Sequence, residues 1–179
     1  DTFKAMEVGD DEDYHFAFGE KKNVIHIPTE IPALEEAFHL HHDELNCLIV
    51  EPLLQGAGGM LMYDISFLKR ARELCDEYDV LLIFDEVVTG IGQTGTMFAC
   101  QYEGVTPDIL VTGKALTSGY VPGSAVLCRK EIGEAMSKIS LHGHTHSCYP
   151  LACRSALKNI EIIERDGLVE NSRVVGDYL

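Results

Sequence analysis

Residues 81–95 read LLIFDEVVTGIGQTG, and residues 107–126 read PDILVTGKALTSGYVPGSAV. Val80 to Phe84 is apolar without interruption, the pattern of a strand buried on both faces of a parallel sheet. It stops at Asp85-Glu86. Asp108 to Thr112 is a second short strand, and it stops at Gly113-Lys114. Upstream, Cys47 to Val50 is a third, ending at Glu51-Pro52; downstream, Ser124 to Cys128 is a fourth. Helical spacing fills the gaps between them. Residues 31–42 carry Pro32 in the first turn, where a missing N–H costs little. Asp64 or Ser66 is placed to cap a helix reaching about Tyr78, with Phe67, Leu68, Ala71, Leu74 and Cys75 on one face. Glu131 to Lys138 and Leu151 to about Arg165 are also helical, and a last helix starts near Leu168 after Asp166-Gly167. Strands alternating with helices define an α/β class with a mainly parallel sheet.

The 179 residues suit one domain with a sizeable core. No window holds the roughly 18–20 apolar residues of a membrane helix, and residues 1–16 lack the pattern of a signal peptide. A cytoplasmic protein is expected. The net charge of −15 argues against nucleic acid, which needs a basic face, and against an anionic membrane surface. Six scattered cysteines without a CxxC pair are not expected to form a disulfide framework, and most are read as small apolar side chains in the interior. The acidic run from Asp10 to Glu20 is read as a solvated loop, and Gln55 to Gly59 as a turn rather than a phosphate site, because no GK[ST] follows.

In open α/β sheets, ligands sit beyond the carboxyl ends of the strands. Asp85 and Lys114 both occupy that edge, 29 residues apart, about one crossover. A neutral lysine is a nucleophile toward carbonyls. An aspartate keeps a pyridinium nitrogen protonated. Spacing alone favours the plainer reading, a turn cap and a solvated lysine, as strand-end charges often are. Residues 141–153, LHGHTHSCYPLAC, set His142, His144, His146 and Cys148 at every second position. Zinc histidines are more often three to five residues apart, so these are read as loop histidines and no metal site is assigned.

The whole string resembles the class III aminotransferases, pyridoxal-phosphate enzymes of fold type I. The signature is the apolar strand, Asp85-Glu86, the glycine-rich turn, the Pro107-Asp-Ile strand and Gly113-Lys114. Residues 49–60, IVEPLLQGAGGM, are similar to the family's Glu-Pro-x-x-Gln-Gly-x-Gly-Gly turn, and residues 142–153 to its His-Gly-x-Thr-Tyr-Ser-Gly-x-Pro-x-Ala segment. DTFKAMEVGD and MYDISFLKRARELCDEYDVLLIFDEV look most like the adenosylmethionine–8-amino-7-oxononanoate branch of biotin synthesis; ALTSGYVPGSAV and IEIIERDGLVEN are closer to general omega-aminotransferases. The resemblance implies that Lys114 attaches the cofactor and shuttles a proton, and that Asp85 pairs with the ring nitrogen. It further implies that Val87 packs on the ring face and that Thr145 binds the cofactor phosphate of the neighbouring subunit. It implies a homodimer, with a small-molecule amine donor and oxo acceptor as substrates.

Four positions depart from the family pattern. Gln93 stands where Arg is usual, and in the biotin branch that Arg pairs with an Asp at the position of Asp1. His146 replaces Tyr or Phe, Cys148 replaces Gly, and Tyr149 replaces Asn or His. Cys148 matters if its backbone needs a positive φ. The family's chains are more than twice as long, so residues 1–179 are expected to be part of the large domain, without the N-terminal segment and the small C-terminal domain. Three readings follow: the biotin-branch transaminase, another omega-aminotransferase using pyruvate or 2-oxoglutarate, or a domain of the same fold that is catalytically silent.

Overall fold

The computed structural model describes residues 3–9, 23–139 and 143–179, so the acidic run at 10–20 lies outside the described residues. A short helix, α1 (Phe3–Val8), precedes the main body. Helix α2 (Ile31–His41) has Pro32 in its first turn, as expected, and buries Leu34 and Phe38. Strand β1 (Cys47–Val50) follows, then a two-residue hairpin, β2 (Leu54–Gln55) and β3 (Leu61–Met62), pairing Leu54 with Met62. That hairpin is built around the glycine run read from sequence as a plain turn.

Helix α3 (Ser66–Glu77) buries the five residues assigned to its inner face: Phe67, Leu68, Ala71, Leu74 and Cys75. Asp64 Oδ1 accepts a 2.9 Å hydrogen bond from the Ser66 N–H at its start. Strands β4 (Leu81–Asp85), β5 (Ile109–Thr112) and β6 (Ala125–Cys128) complete a four-stranded sheet in the order β1-β4-β5-β6. The first two pairings are parallel and the last is antiparallel. Three helices close the chain: α4 (Lys130–Ile139), α5 (Pro150–Arg165) and α6 (Leu168–Tyr178). Among the described residues, no helix is long and apolar enough to cross a membrane.

Two expectations fail. Of the six cysteines only Cys75 and Cys100 are buried, and Cys47, Cys128, Cys148 and Cys153 are exposed, because free thiols fall on outer faces as readily as inner ones. Strand β4 is not buried on both faces. Leu82 and Phe84 are fully buried against α2 and α3, whereas Leu81, Ile83 and Asp85 on the other face are only half-buried. Helices of the described chain cover one side of the strand more fully than the other, and an apolar run does not distinguish these cases. Most of the core lies on the α2–α3 side. A second, smaller cluster of Ile91, Leu116 and Ile163 joins the glycine-rich turn, the segment after β5 and α5.

Candidate active site

Parallel pairing brings the carboxyl ends of β1, β4 and β5 to one edge of the sheet. Val50 lies beside Phe84, and Asp85 beside Val111. The residues that follow, Glu51 and Lys114, therefore converge on Asp85. Their charges act on one another at Glu51. Burial pushes its carboxyl above the ordinary value; the Gly56 N–H opposes that, the Asp85 charge adds to it, and the Lys114 charge opposes it. Glu51 Oε2 accepts the Gly56 N–H at 3.0 Å. Tyr63 donates its hydroxyl to the Glu51 carbonyl at 2.5 Å, and burial raises that phenol well above its usual range.

Asp85 is half-buried, and its Oδ1 accepts the Val87 N–H at 3.0 Å, which orients the carboxylate. Val87 lies against the strand end that carries the lysine: a Cβ on Gly113 would sit 3.7 Å from Val87 Cγ1. Lys114 is exposed and begins a 3₁₀ turn, Lys114–Thr117. Its φ is +41°, in the left-handed region that non-glycine residues seldom adopt. It lines an open cleft of about 540 Å³ together with Ile91, Gln93, Asn159 and Val169. An exposed amine whose charge is felt at Glu51 can attack a carbonyl carbon once it sheds its proton. An oriented carboxylate can keep a proton on a basic ring nitrogen.

Thr145 stands apart from this cluster. It is exposed on the turn before α5, where Ser147 Oγ accepts the His144 N–H at 3.0 Å. His142 lies outside the described residues; His146 and Cys148 are exposed. Among the described residues, no group of three or more His, Cys, Asp or Glu is arranged to hold a metal ion. Cys148 has φ +57°, so the backbone does adopt there the conformation that glycine would favour. Gln93 is exposed at the rim of the cleft. Its expected counterpart Asp1 lies outside the described residues.

Glu86 turns away from the edge. It is fully buried and accepts the N–H groups of Ala99 (2.6 Å) and Cys100 (2.9 Å) and the Thr89 hydroxyl (3.1 Å). Its contacts are structural: it pins the turn that follows the glycine-rich segment, and beside it burial pushes the Cys100 thiol up to about 12. Two features were not assigned from sequence. Glu51 could have been, by the strand-end rule that picked out Asp85. The Asn159 and Ser155 contacts to the lysine turn have no local signal, because they reach it from α5, 38 to 44 residues away.

Comparison with known proteins agrees with this architecture. The model of the aminotransferase class-III family matches residues 2–179. The adenosylmethionine-8-amino-7-oxononanoate aminotransferase of Geobacter sulfurreducens is 44% identical over 142 residues, which are 76% of this chain and 31% of that protein. The mitochondrial ornithine aminotransferase of Drosophila melanogaster is 42% identical over 149 residues, 83% of this chain and 34% of that protein. The crystallised ornithine aminotransferase of Toxoplasma gondii, with partial occupancy of PLP at its active site, superposes with a TM-score of 0.89 at 34% identity, covering 99% of this chain and 41% of that one. The chain spans about a third of the length of the curated relatives it matches. With the family model matching nearly end to end, over a sheet whose carboxyl edge gathers Glu51, Asp85 and Lys114, the chain belongs to the class III aminotransferases.

Proposed function

We propose that residues 1–179 form part of the large, cofactor-binding domain of a cytoplasmic pyridoxal-phosphate-dependent aminotransferase, which moves an amino group from a small-molecule amine donor to an oxo acceptor. The observation that carries this reading is the β4–β5 register, with Asp85 beside Val111, three residues short of Lys114. The residues fit the cofactor's chemistry. Asp85 is an anion oriented by the Val87 N–H, Val87 offers an apolar surface, and Lys114 offers an exposed amine. Pyridoxal phosphate supplies, when bound, an electron sink for bonds at the amine-bearing carbon.

In this reading Lys114 would hold the cofactor through Nζ and would move a proton at that atom. Asp85 keeps the ring nitrogen protonated by placing negative charge beside it. Thr145 donates its hydroxyl to the cofactor phosphate of a partner subunit, a charge-assisted bond suited to a dianion. Its exposed position on the turn before α5 supports a role outside its own subunit's cluster.

The substrates we propose are adenosylmethionine as donor and 8-amino-7-oxononanoate as acceptor. Support comes from six relatives bearing that name at 41–44% identity. A second reading, an omega-aminotransferase acting on a terminal amine with pyruvate or 2-oxoglutarate, draws support from the ornithine aminotransferases. Donor profiling of the full-length protein separates the two.

The test of the site is borohydride reduction after incubation with pyridoxal phosphate, with peptide mapping of the labelled lysine. Stoichiometric label at Lys114, lost in Lys114→Ala, is expected. Label spread over surface lysines, or none, removes the claim that these residues make a working cofactor site and favours a catalytically silent domain.

A further inference from the structure

The backbone that carries Lys114 is strained and has no secondary-structure ladder to hold it. Strand β5 ends at Thr112, and the 3₁₀ turn Lys114–Thr117 opens on a left-handed residue, φ +41° at Lys114, and closes on another, φ +52° at Ser118. Each such residue persists only where its surroundings over-determine it. Backbone hydrogen bonds tie the two ends of the turn, Leu116 N–H to Gly113 O at 2.8 Å and Ser118 N–H to Ala115 O at 3.1 Å. A short 3₁₀ turn has poor hydrogen-bond geometry of its own.

The missing restraint comes from one face of α5. Asn159 Nδ2 donates to the carbonyl of Ala115 at 2.7 Å and to that of Leu116 at 3.2 Å. One turn earlier on the same helix, Ser155 Oγ donates to the carbonyl of Thr117 at 3.2 Å. Three successive carbonyls of the lysine turn are thus held from a single helix. Beneath them, Leu116 packs with Ile163 of α5 and Ile91 of the glycine-rich segment. On the far side the fit is close: a Cβ on Gly123 would lie 2.7 Å from Thr117 Cγ2 and 3.6 Å from Ala152 Cβ of α5.

We propose that Asn159, seconded by Ser155, is a positioning residue that clamps the 114–117 turn and so fixes where the Lys114 amine points. It acts through the turn's carbonyls. The inference rests on the reading of Lys114 as the reactive lysine, and it names the device that aims it.

The test uses Asn159→Asp, which keeps size but replaces the donating amide with an acceptor, and Ser155→Ala as the milder variant. Two readouts are taken on the whole chain. Hydrogen exchange of the amides of Leu116 and Ser118 is expected to accelerate at least tenfold in Asn159→Asp and severalfold in Ser155→Ala, with exchange in β4 and β5 unchanged. Borohydride-trapped pyridoxal phosphate at Lys114 is expected to fall by a similar factor, while label on Lys158, exposed on the same helix, stays constant. Unchanged exchange at 116 and 118 in both variants overturns the clamp. So does acceleration spread evenly through the sheet in both variants, which would mark general destabilisation. Loss of turn protection with no Lys114 labelling even in the wild type leaves the clamp standing and removes the cofactor reading instead.

Discussion

Replacing Asp108 probes the join between the two strands that carry Asp85 and Lys114. Asp108 is 2% exposed and sits at the start of β5. Its Oδ2 accepts the Leu82 N–H of β4 at 2.7 Å and Arg72 Nη1 at 3.0 Å. Its Oδ1 lies 2.9 Å from Arg129 Nη2, a charge contact that is not aligned as a hydrogen bond. Arg129 is about half exposed, so that contact contributes about 0–1 kcal/mol. The other two contacts weigh more. Asp108→Ala leaves a buried strand N–H without an acceptor, about 1–3 kcal/mol. It also removes the hydrogen bond to Arg72, whose side chain is 18% exposed and keeps Asp76 at 2.8 Å. Together the loss is about 3–5 kcal/mol, the orphaned donor and a lost hydrogen bond to a charged group added. Asp108→Asn retains an oxygen for Leu82 and loses only the charge, so about 1.5–3 kcal/mol is expected. Urea unfolding followed by far-ultraviolet circular dichroism measures both. With a slope of about 2 kcal/mol per molar, the alanine variant lowers the midpoint by about 1.5–2.5 M. An alanine variant within about 1 kcal/mol of wild type at unchanged slope would refute the reasoning. So would an asparagine variant as damaged as alanine, since that would leave the Leu82 contact no weight.

Two further outcomes follow from single residues. The Glu51 carboxyl is raised above its ordinary 4.5, so its folded form favours the proton; its contribution to stability is complete below that value and is lost as pH rises through the folded pKa. Glu51→Gln is therefore expected to raise the urea midpoint at pH 7 and to leave it unchanged at pH 4, and an equal effect at both would contradict the assignment. Cys148 is exposed at φ +57°, a conformation costing an L-residue about 1–2 kcal/mol. Cys148→Gly relieves that strain but gains unfolded-state entropy of about 0.4–1 kcal/mol, so a net local stabilisation of about 0.5–1 kcal/mol is expected. Slower hydrogen exchange at Ser147, whose N–H bonds to the His144 carbonyl, is the readout.

Much of the fold was legible from local pattern. The inner face of α3 follows from helical spacing, and the capping role of Asp64 from its chemistry and its place two residues before Ser66. The strand at 47–50 follows from an apolar run cut off by Glu51-Pro52. The position of Asp85 and Lys114 at one sheet edge was legible too, because both stand at the ends of apolar strands. The one-sided burial of β4 was not, because Leu81 and Ile83 are as apolar as Leu82, and apolarity does not report what covers a face. The hairpin at 54–62 was hidden for a related reason: two-residue strands are too short to show a period.

Local pattern set the class of fold and which ionisable residues stand at strand ends, since strand ends, caps and helix faces depend on neighbours a few positions away. How those residues are held is a matter of tertiary packing. Strand order set Glu51 beside Asp85 and Lys114, with no spacing to announce it. The packing of α5 brought Asn159 onto the carbonyls of Ala115 and Leu116, more than forty residues back along the chain. A left-handed lysine is unfavourable by every local rule. It persists because contacts distant in sequence restrain it, and such contacts exist only once the chain has folded.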